Sequence, residues 1–369
     1  MNRLLGTLVL VLGCGDGLQE SGAAPQHAAV ILVASSDGAS GAISLIDLET
    51  LEPTPLADTA ATGDAVGRAW FGQYFVVNRA SVEGDNILVY DAEDGFSLVK
   101  QISVGSTTDN AQDLCCVAPD KCYVPRLSAP DLWIVNPEAI DEFVGAIDLG
   151  DLAEDGVPNA DSCHVAGSRL LVALSNLDDA DPFLTAHDPG SLAVIDTKTD
   201  TLVGVHDTTV KNPGAPFVAE PDSTVLLGEI GDWSVMDGGW DRIDLATGEP
   251  QGLAVTEKAL GGDVAHLAIC STGEAYAIVN SCDAAFNCST PLVPVDLETG
   301  AVGEPIYDPG VYALTWIAAD DRGRFFVADR RTDGSPTGIW VYDCDGTRIT
   351  DEPIDVGLPP AFEGVIQFL

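Results

Sequence analysis

One phrase recurs along this chain: a short apolar run closed by an acidic or amide residue, a polar turn, then a second short run. It appears as GAISLIDLETLEP from Gly41, DNILVYDAEDGFSLVKQISVG from Asp85, GSLAVIDTKTDTLVGV from Gly190 and LVPVDLETGAVGEPI from Leu292. The closing residues are Asp47, Asp91, Asn136, Asp196, Asp244, Asp296 and Asp343, with successive differences of 44, 45, 60, 48, 52 and 47. Seven units of about fifty residues match the period of four-stranded propeller blades. The expected fold is all-β: a seven-bladed β-propeller of four-stranded antiparallel blades over residues 28–369.

The sixth unit parses into strands Val264–Cys270, Ala275–Asn280, Leu292–Asp296 and Val302–Tyr307. The seventh parses into Tyr312–Ala318, Arg324–Asp329, Gly338–Asp343 and Thr347–Val356. Strands of this length joined by Gly- and Asp-rich turns are hairpins in series. The runs LAVI and ILVY are apolar on both faces because each blade lies between two others. The closing Asp sits where its carboxylate accepts backbone N–H bonds at the turn. The first unit lacks an innermost strand, while GVIQFL at the end follows a completed seventh unit. Pairing the two closes the ring and removes two exposed edges.

Composition agrees. Hydrophobic residues are 46% of the chain, enough for a core, while 38 Gly and 22 Pro are spread throughout. The net charge of −42 repels phosphate backbones, so nucleic acid is excluded as a partner class, and cations are attracted.

The opening MNRLLGTLVLVLGCGDG places Arg3 before an apolar stretch from Leu4 to Gly13. That stretch is shorter than the ~20 residues of a spanning helix and reads as the apolar region of a secretory signal. Its end, Val11-Leu12-Gly13-Cys14, resembles a bacterial lipobox. The resemblance implies a signal peptide at 1–13, lipidation of Cys14 and anchoring to a membrane. Residues 14–27 form a polar tether. Gly15 after the cysteine implies, by similarity to lipoprotein sorting, an exported protein on the outer membrane, facing the periplasm or the cell surface. Eight further cysteines in an exported chain point to disulfides. Cys116 and Cys122 flank one short loop, with Cys115 as the alternative to Cys116, and Cys282 and Cys288 flank another. The other pairings stay open. No CxxC pair favours zinc.

The phrases DLETG at 296–300, DLATG at 244–248 and DTKTD at 196–200 resemble those of the YVTN, YncE-like seven-bladed propellers of bacteria. That likeness bears on fold and carries little about function.

In such a ring the innermost strands line a central channel, and ligands bind at its mouth. The channel-lining slots fall at Arg68, Asp113 with Asn110 before it, His164, Phe217, His266, Thr315 and Glu363. Two entries read D-x-x-H, Asp161 to His164 and Asp263 to His266. Two imidazoles with Asp113, Asp161, Asp263 and Glu363 form the candidate set for a divalent metal such as calcium; otherwise they are polar caps on channel strands. No nucleophile elbow, phosphate loop or HExxH occurs, so no catalytic residue is assigned. The expected function is a monomeric, lipid-anchored, non-catalytic binding or scaffolding module, without a cofactor, for a protein, glycan or small ligand. The alternatives are a metal-dependent lactonase or hydrolase at the channel mouth, and a metal-binding propeller without turnover.

Overall fold

Each repeat folds as an antiparallel sheet, and the sheets succeed one another in chain order. The structure is a computed structural model that describes residues 27–369 apart from 59–60, 80–85, 106–107, 179, 182–184, 188, 222, 284, 286 and 332. The leader, Cys14 and the tether up to residue 26 lie outside the described residues. Blades two to five each hold four strands in sequence order, for example Ala160–Ala166, Arg169–Leu174, Ser191–Asp196 and Thr201–Asp207 in blade four. This is a seven-bladed β-propeller. Besides strands, the described residues hold a one-turn helix at Glu257–Leu260 and a 3-10 turn at Gly150–Leu152.

Blade one is composite. Its innermost strand is Ile366–Phe368, which pairs antiparallel with Ala28–Ala34, with Ile31 opposite Ile366. The ring therefore closes through the tail, as the unpaired ends of the sequence require. Two outer strands depart from expectation. In blade six only Ala301–Val302 forms the fourth strand, and in blade seven residues 347–356 make single bridges, Tyr342 to Arg348 and Ile339 to Ile354. Pro305 and Pro353 interrupt both segments, and a residue without an N–H cannot continue a ladder.

The apolar runs pack blade against blade. Val172, Leu174, Ala193 and Ile195 of blade four face Tyr123, Leu132 and Ile134 of blade three, while Leu171, Leu192 and Val194 face Val225 and Leu227 of blade five. Alternate residues of one strand thus enter two different core layers, which is why no polar face appears in the sequence. The outermost strand Thr201–Asp207 alternates, exposed and half-buried residues taking turns.

Six of the seven closing residues bind the turn that follows. Asp296 Oδ1 accepts the N–H groups of Glu298 and Thr299 at 2.9 and 3.0 Å, and Asp196 those of Lys198 and Thr199 at 2.8 and 3.1 Å. These bonds hold both carboxyls below their ordinary range. In the seventh unit the role shifts to Asp345, which accepts from Thr347 N at 2.8 Å. Four disulfides are present. Cys116–Cys122 and Cys282–Cys288 close local loops, whereas Cys115–Cys163 joins blades three and four and Cys270–Cys344 joins blades six and seven.

Candidate functional site

The innermost strands enter the channel from the same end, and their first residues surround a cavity of about 140 Å³. Every blade contributes to its wall: Gly364 from blade one, Val66 from two, Asp113 from three, Asp161 from four, Pro216 from five, Val264 from six and Leu314 from seven. A second chamber of about 290 Å³ lies towards the other end of these strands and is lined largely by apolar groups, including Phe217, Leu267, Ile317 and Ile366. His266 and Trp316 line both chambers, with ring centroids 4.4 Å apart. This pair forms the waist of the channel.

Two ion pairs fix the polar wall. Arg68 Nε donates to Asp113 Oδ1 at 2.6 Å, and the same carboxylate accepts the N–H of Leu114 at 2.7 Å and of Cys163 at 3.0 Å. Asp113 is thereby committed on both oxygens. Arg79 reaches in from the strand Gln73–Asn78 side of blade two and binds Glu363, Asp64 and, at 3.0 Å, Gln112 Oε1. Gln112 in turn donates to Asn110 Oδ1 at 2.7 Å. Asp161 differs from both. It lines the cavity without a hydrogen bond to any described residue, and burial, reinforced by Glu363 and Asp113 against the opposing pull of Arg79, pushes its carboxyl up to about 8.

Burial holds the two D-x-x-H imidazoles, His164 and His266, in the neutral form. Burial pushes His266 down to about 3, and His164 down to about 4 against the pull of Asp113. His266 Nδ1 is buried without a hydrogen-bond partner. His164 packs against Phe217, ring centroids 5.8 Å apart, and is not part of the cavity wall.

The two D-x-x-H entries do different things. Asp263 is 2% exposed and turns away to the preceding loop, where both its oxygens accept the N–H of Ser234, at 3.0 and 2.9 Å. Ser234 and Met236 have φ of 63° and 60°, a left-handed conformation that costs about 1–2 kcal/mol for each such residue. Asp263 offsets that strain and presents Trp233 at the cavity mouth. Thr315 is also structural: its hydroxyl donates to Ala361 O at 2.8 Å. Of the residues expected in the channel wall, Arg68, Asp113, His266 and Glu363 meet at the upper cavity, Phe217 lines the lower chamber, and Asn110 supports the wall through Gln112.

The candidate metal set does not converge. Among the described residues, the one group of three or more His, Cys, Asp or Glu with ligand atoms within 4.8 Å of each other is Asp113, Cys115 and Cys163. Its two sulfurs are bonded to each other and so offer no thiolate. His164, His266, Asp161, Asp263 and Glu363 join no such group, because the two strands that carry the histidines belong to blades two positions apart.

Three wall residues lay beyond the slot alignment. Trp233 sits on the loop between the second and third strands of blade five, Tyr312 precedes the first strand of blade seven, and Trp316 lies one position past the slot residue Thr315. The sequence signal available was the glycine-flanked GDWSVMDGG stretch; the exposure of Trp233 and Tyr312, at 58% and 50%, is visible only in the fold.

No family model matches this chain, and no curated protein does. Solved structures do. A candidate 6-phosphogluconolactonase of Bacteroides fragilis superposes with a TM-score of 0.61 at 14% identity, over 93% of this chain and 98% of that one. A protein of unknown function from Desulfotomaculum acetoxidans gives 0.57 at 12% identity, over 92% and 98%. Hydrazine synthase of Kuenenia stuttgartiensis gives 0.56 at 14% identity, over 74% of each chain. Their range of activities restricts the likeness to the propeller fold.

Proposed function

We propose that this chain is an exported, lipid-anchored propeller that binds a small ligand, or a small group of a larger partner, at the upper mouth of its channel without transforming it. The observation that carries this reading is the wall itself. Asp113 and Glu363 are each held by an arginine, and the one histidine in the wall, His266, is neutral, so the lining is a fixed mould of polar and aromatic surfaces. The four disulfides support export, since such bonds persist in oxidising compartments. The lipobox-like stretch at 11–14 supports the lipid anchor and Gly15 the outer membrane, and DLETG-type turns support kinship with the YncE-like propellers.

Binding is tested by a thermal-shift screen of small ligands against the purified chain and Trp233→Ala. A ligand that raises the melting temperature of the first and not of the second supports the reading; turnover of that ligand overturns it. Cys14→Ser is expected to move the protein from the membrane to the soluble fraction. Membrane retention of this variant overturns the anchor.

The lactonase or hydrolase reading rests on Asp161, a carboxyl that keeps its proton near neutral pH and has the character of a general acid. Lactone hydrolysis abolished by Asp161→Asn would establish it. Stoichiometric metal in purified protein, lost in His164→Ala with His266→Ala, would establish the metal-binding alternative.

A further inference from the structure

The charges at the upper cavity do not balance. Arg68 and Arg79 supply two guanidinium groups, and Asp64, Asp113, Asp161 and Glu363 supply four carboxyls. Arg68 is committed to Asp113, and Arg79 is divided between Asp64 and Glu363. Asp161 has no partner of its own and faces the cavity. Around it stand four aromatic side chains, Trp233, Tyr312, Trp316 and the uncharged ring of His266. Aromatic faces carry negative potential and attract cations, the more so when water is excluded. An unpaired carboxylate beside several such faces is the chemistry that recognises an organic ammonium.

We propose that the upper cavity binds the head group of an organic ammonium ion, with Asp161 as its counter-ion and Trp233, Tyr312 and Trp316 as its cage. This deepens the binding reading above and rests on it. The volume sets the size of the guest. At about 140 Å³ the cavity is smaller than the ~300 Å³ at which pockets for drug-sized ligands begin. It therefore encloses a head group, and the remainder of the guest lies across the mouth against Trp233 and Tyr312, which are half exposed there. The surrounding field favours the same sign, since the net charge of −42 draws cations to the surface.

The site also couples binding to protons. The groups facing Asp161 are Glu363 and Asp113, which hold its proton on, and Arg79, which opposes them. An entering ammonium adds positive charge beside Asp161 and expels that proton. Affinity therefore strengthens as pH rises from 6 to 8, by up to about tenfold per unit.

Calorimetry with choline chloride, on the full chain in a non-ionic detergent, tests the assignment. Saturable one-site binding is expected, with proton release below pH 8. The uncharged isostere 3,3-dimethyl-1-butanol is expected to bind at least tenfold more weakly. Asp161→Asn and, on the exposed loop, Trp233→Ala are each expected to weaken choline at least fivefold while still unfolding in one cooperative transition. N-acetyl-lysinamide in place of choline separates a lysine-borne ammonium from a quaternary one, and binding of either sustains the proposal. Equal affinity for choline and its isostere, unchanged affinity in Asp161→Asn, or no saturation by either cation at 50 mM overturns it. A neutral sugar or an anion that binds the wild type and is lost in Trp233→Ala, while both cations fail, overturns the ammonium assignment and leaves the binding module standing.

Discussion

Glu229 and Asp241 are wholly buried carboxyls on adjacent strands of blade five, and Glu229 Oε1 has no hydrogen-bond partner among the described residues. Two neighbouring carboxylates in a dry interior repel, and one of them holds a proton. Burial first, and Asp241 second, push Glu229 up to about 10, while Val210 N donates to its Oε2 at 2.6 Å. Asp241 accepts from Gly252 N at 2.9 Å and Thr209 N at 3.2 Å.

A proton held here makes stability depend on pH. Glu229 is raised in the folded state and ordinary when unfolded, so between about pH 4.5 and 10 the native chain binds the extra proton. The stability it contributes is complete in acid and is lost as pH rises. Asp161 and Glu257, raised to about 8 and about 7, act in the same direction. The melting temperature is expected to rise as pH falls from 9 to 5. Glu229→Gln carries no such proton and is expected to flatten that profile and to add about 1–3 kcal/mol at pH 8. Calorimetric scans across pH check this; an unchanged slope refutes the buried proton on Glu229.

Asp263→Ala removes the double acceptor for Ser234 N and releases the loop at 231–237 from its left-handed geometry. The expected cost is about 0.5–1.5 kcal/mol, the net worth of an ordinary hydrogen bond, since Ser234 is exposed and its N–H turns to water. Faster amide exchange at Ser234 and Met236, with weaker ligand binding, is the expected signature. Loss of stability with undisturbed exchange in the loop would contradict the pinning role.

The inter-blade disulfides are expected to matter more than the local ones. Cys270–Cys344 spans 74 residues and Cys282–Cys288 spans 6. On chain entropy the longer loop contributes about 4 kcal/mol and the shorter about 2. Paired Cys→Ser replacements compared by denaturant unfolding should show that order, with Cys115–Cys163 close to the former at a separation of 48.

Ring closure rests on a short strand. Ile366 is 1% exposed and pairs with Ile31. Ile366→Asp buries an unpaired charge there and exposes the edge of Ala28–Ala34. A loss of more than about 3 kcal/mol, with aggregation on heating, is expected in unfolding scans. A variant that melts like the wild type would show that the ring does not depend on the tail.

The sequence by itself determined the number of blades, most strand positions and the closure of the ring. Each follows from a local pattern: an apolar run, an Asp that caps the next turn, and a tail with no partner but the head. It also identified much of the cavity wall, because the first residues of successive innermost strands occupy equivalent places. What it could not decide was the direction of each side chain and the company it keeps. Asp161 and Asp263 hold the same position in a D-x-x-H phrase, yet one faces the cavity and the other turns to the N–H of Ser234. Trp233 and Arg79 reach the site from a loop and from the residue just past a second strand, outside the repeat's register. Such contacts join residues far apart in the chain, and no periodicity records them; only the closed ring brings them within bonding distance.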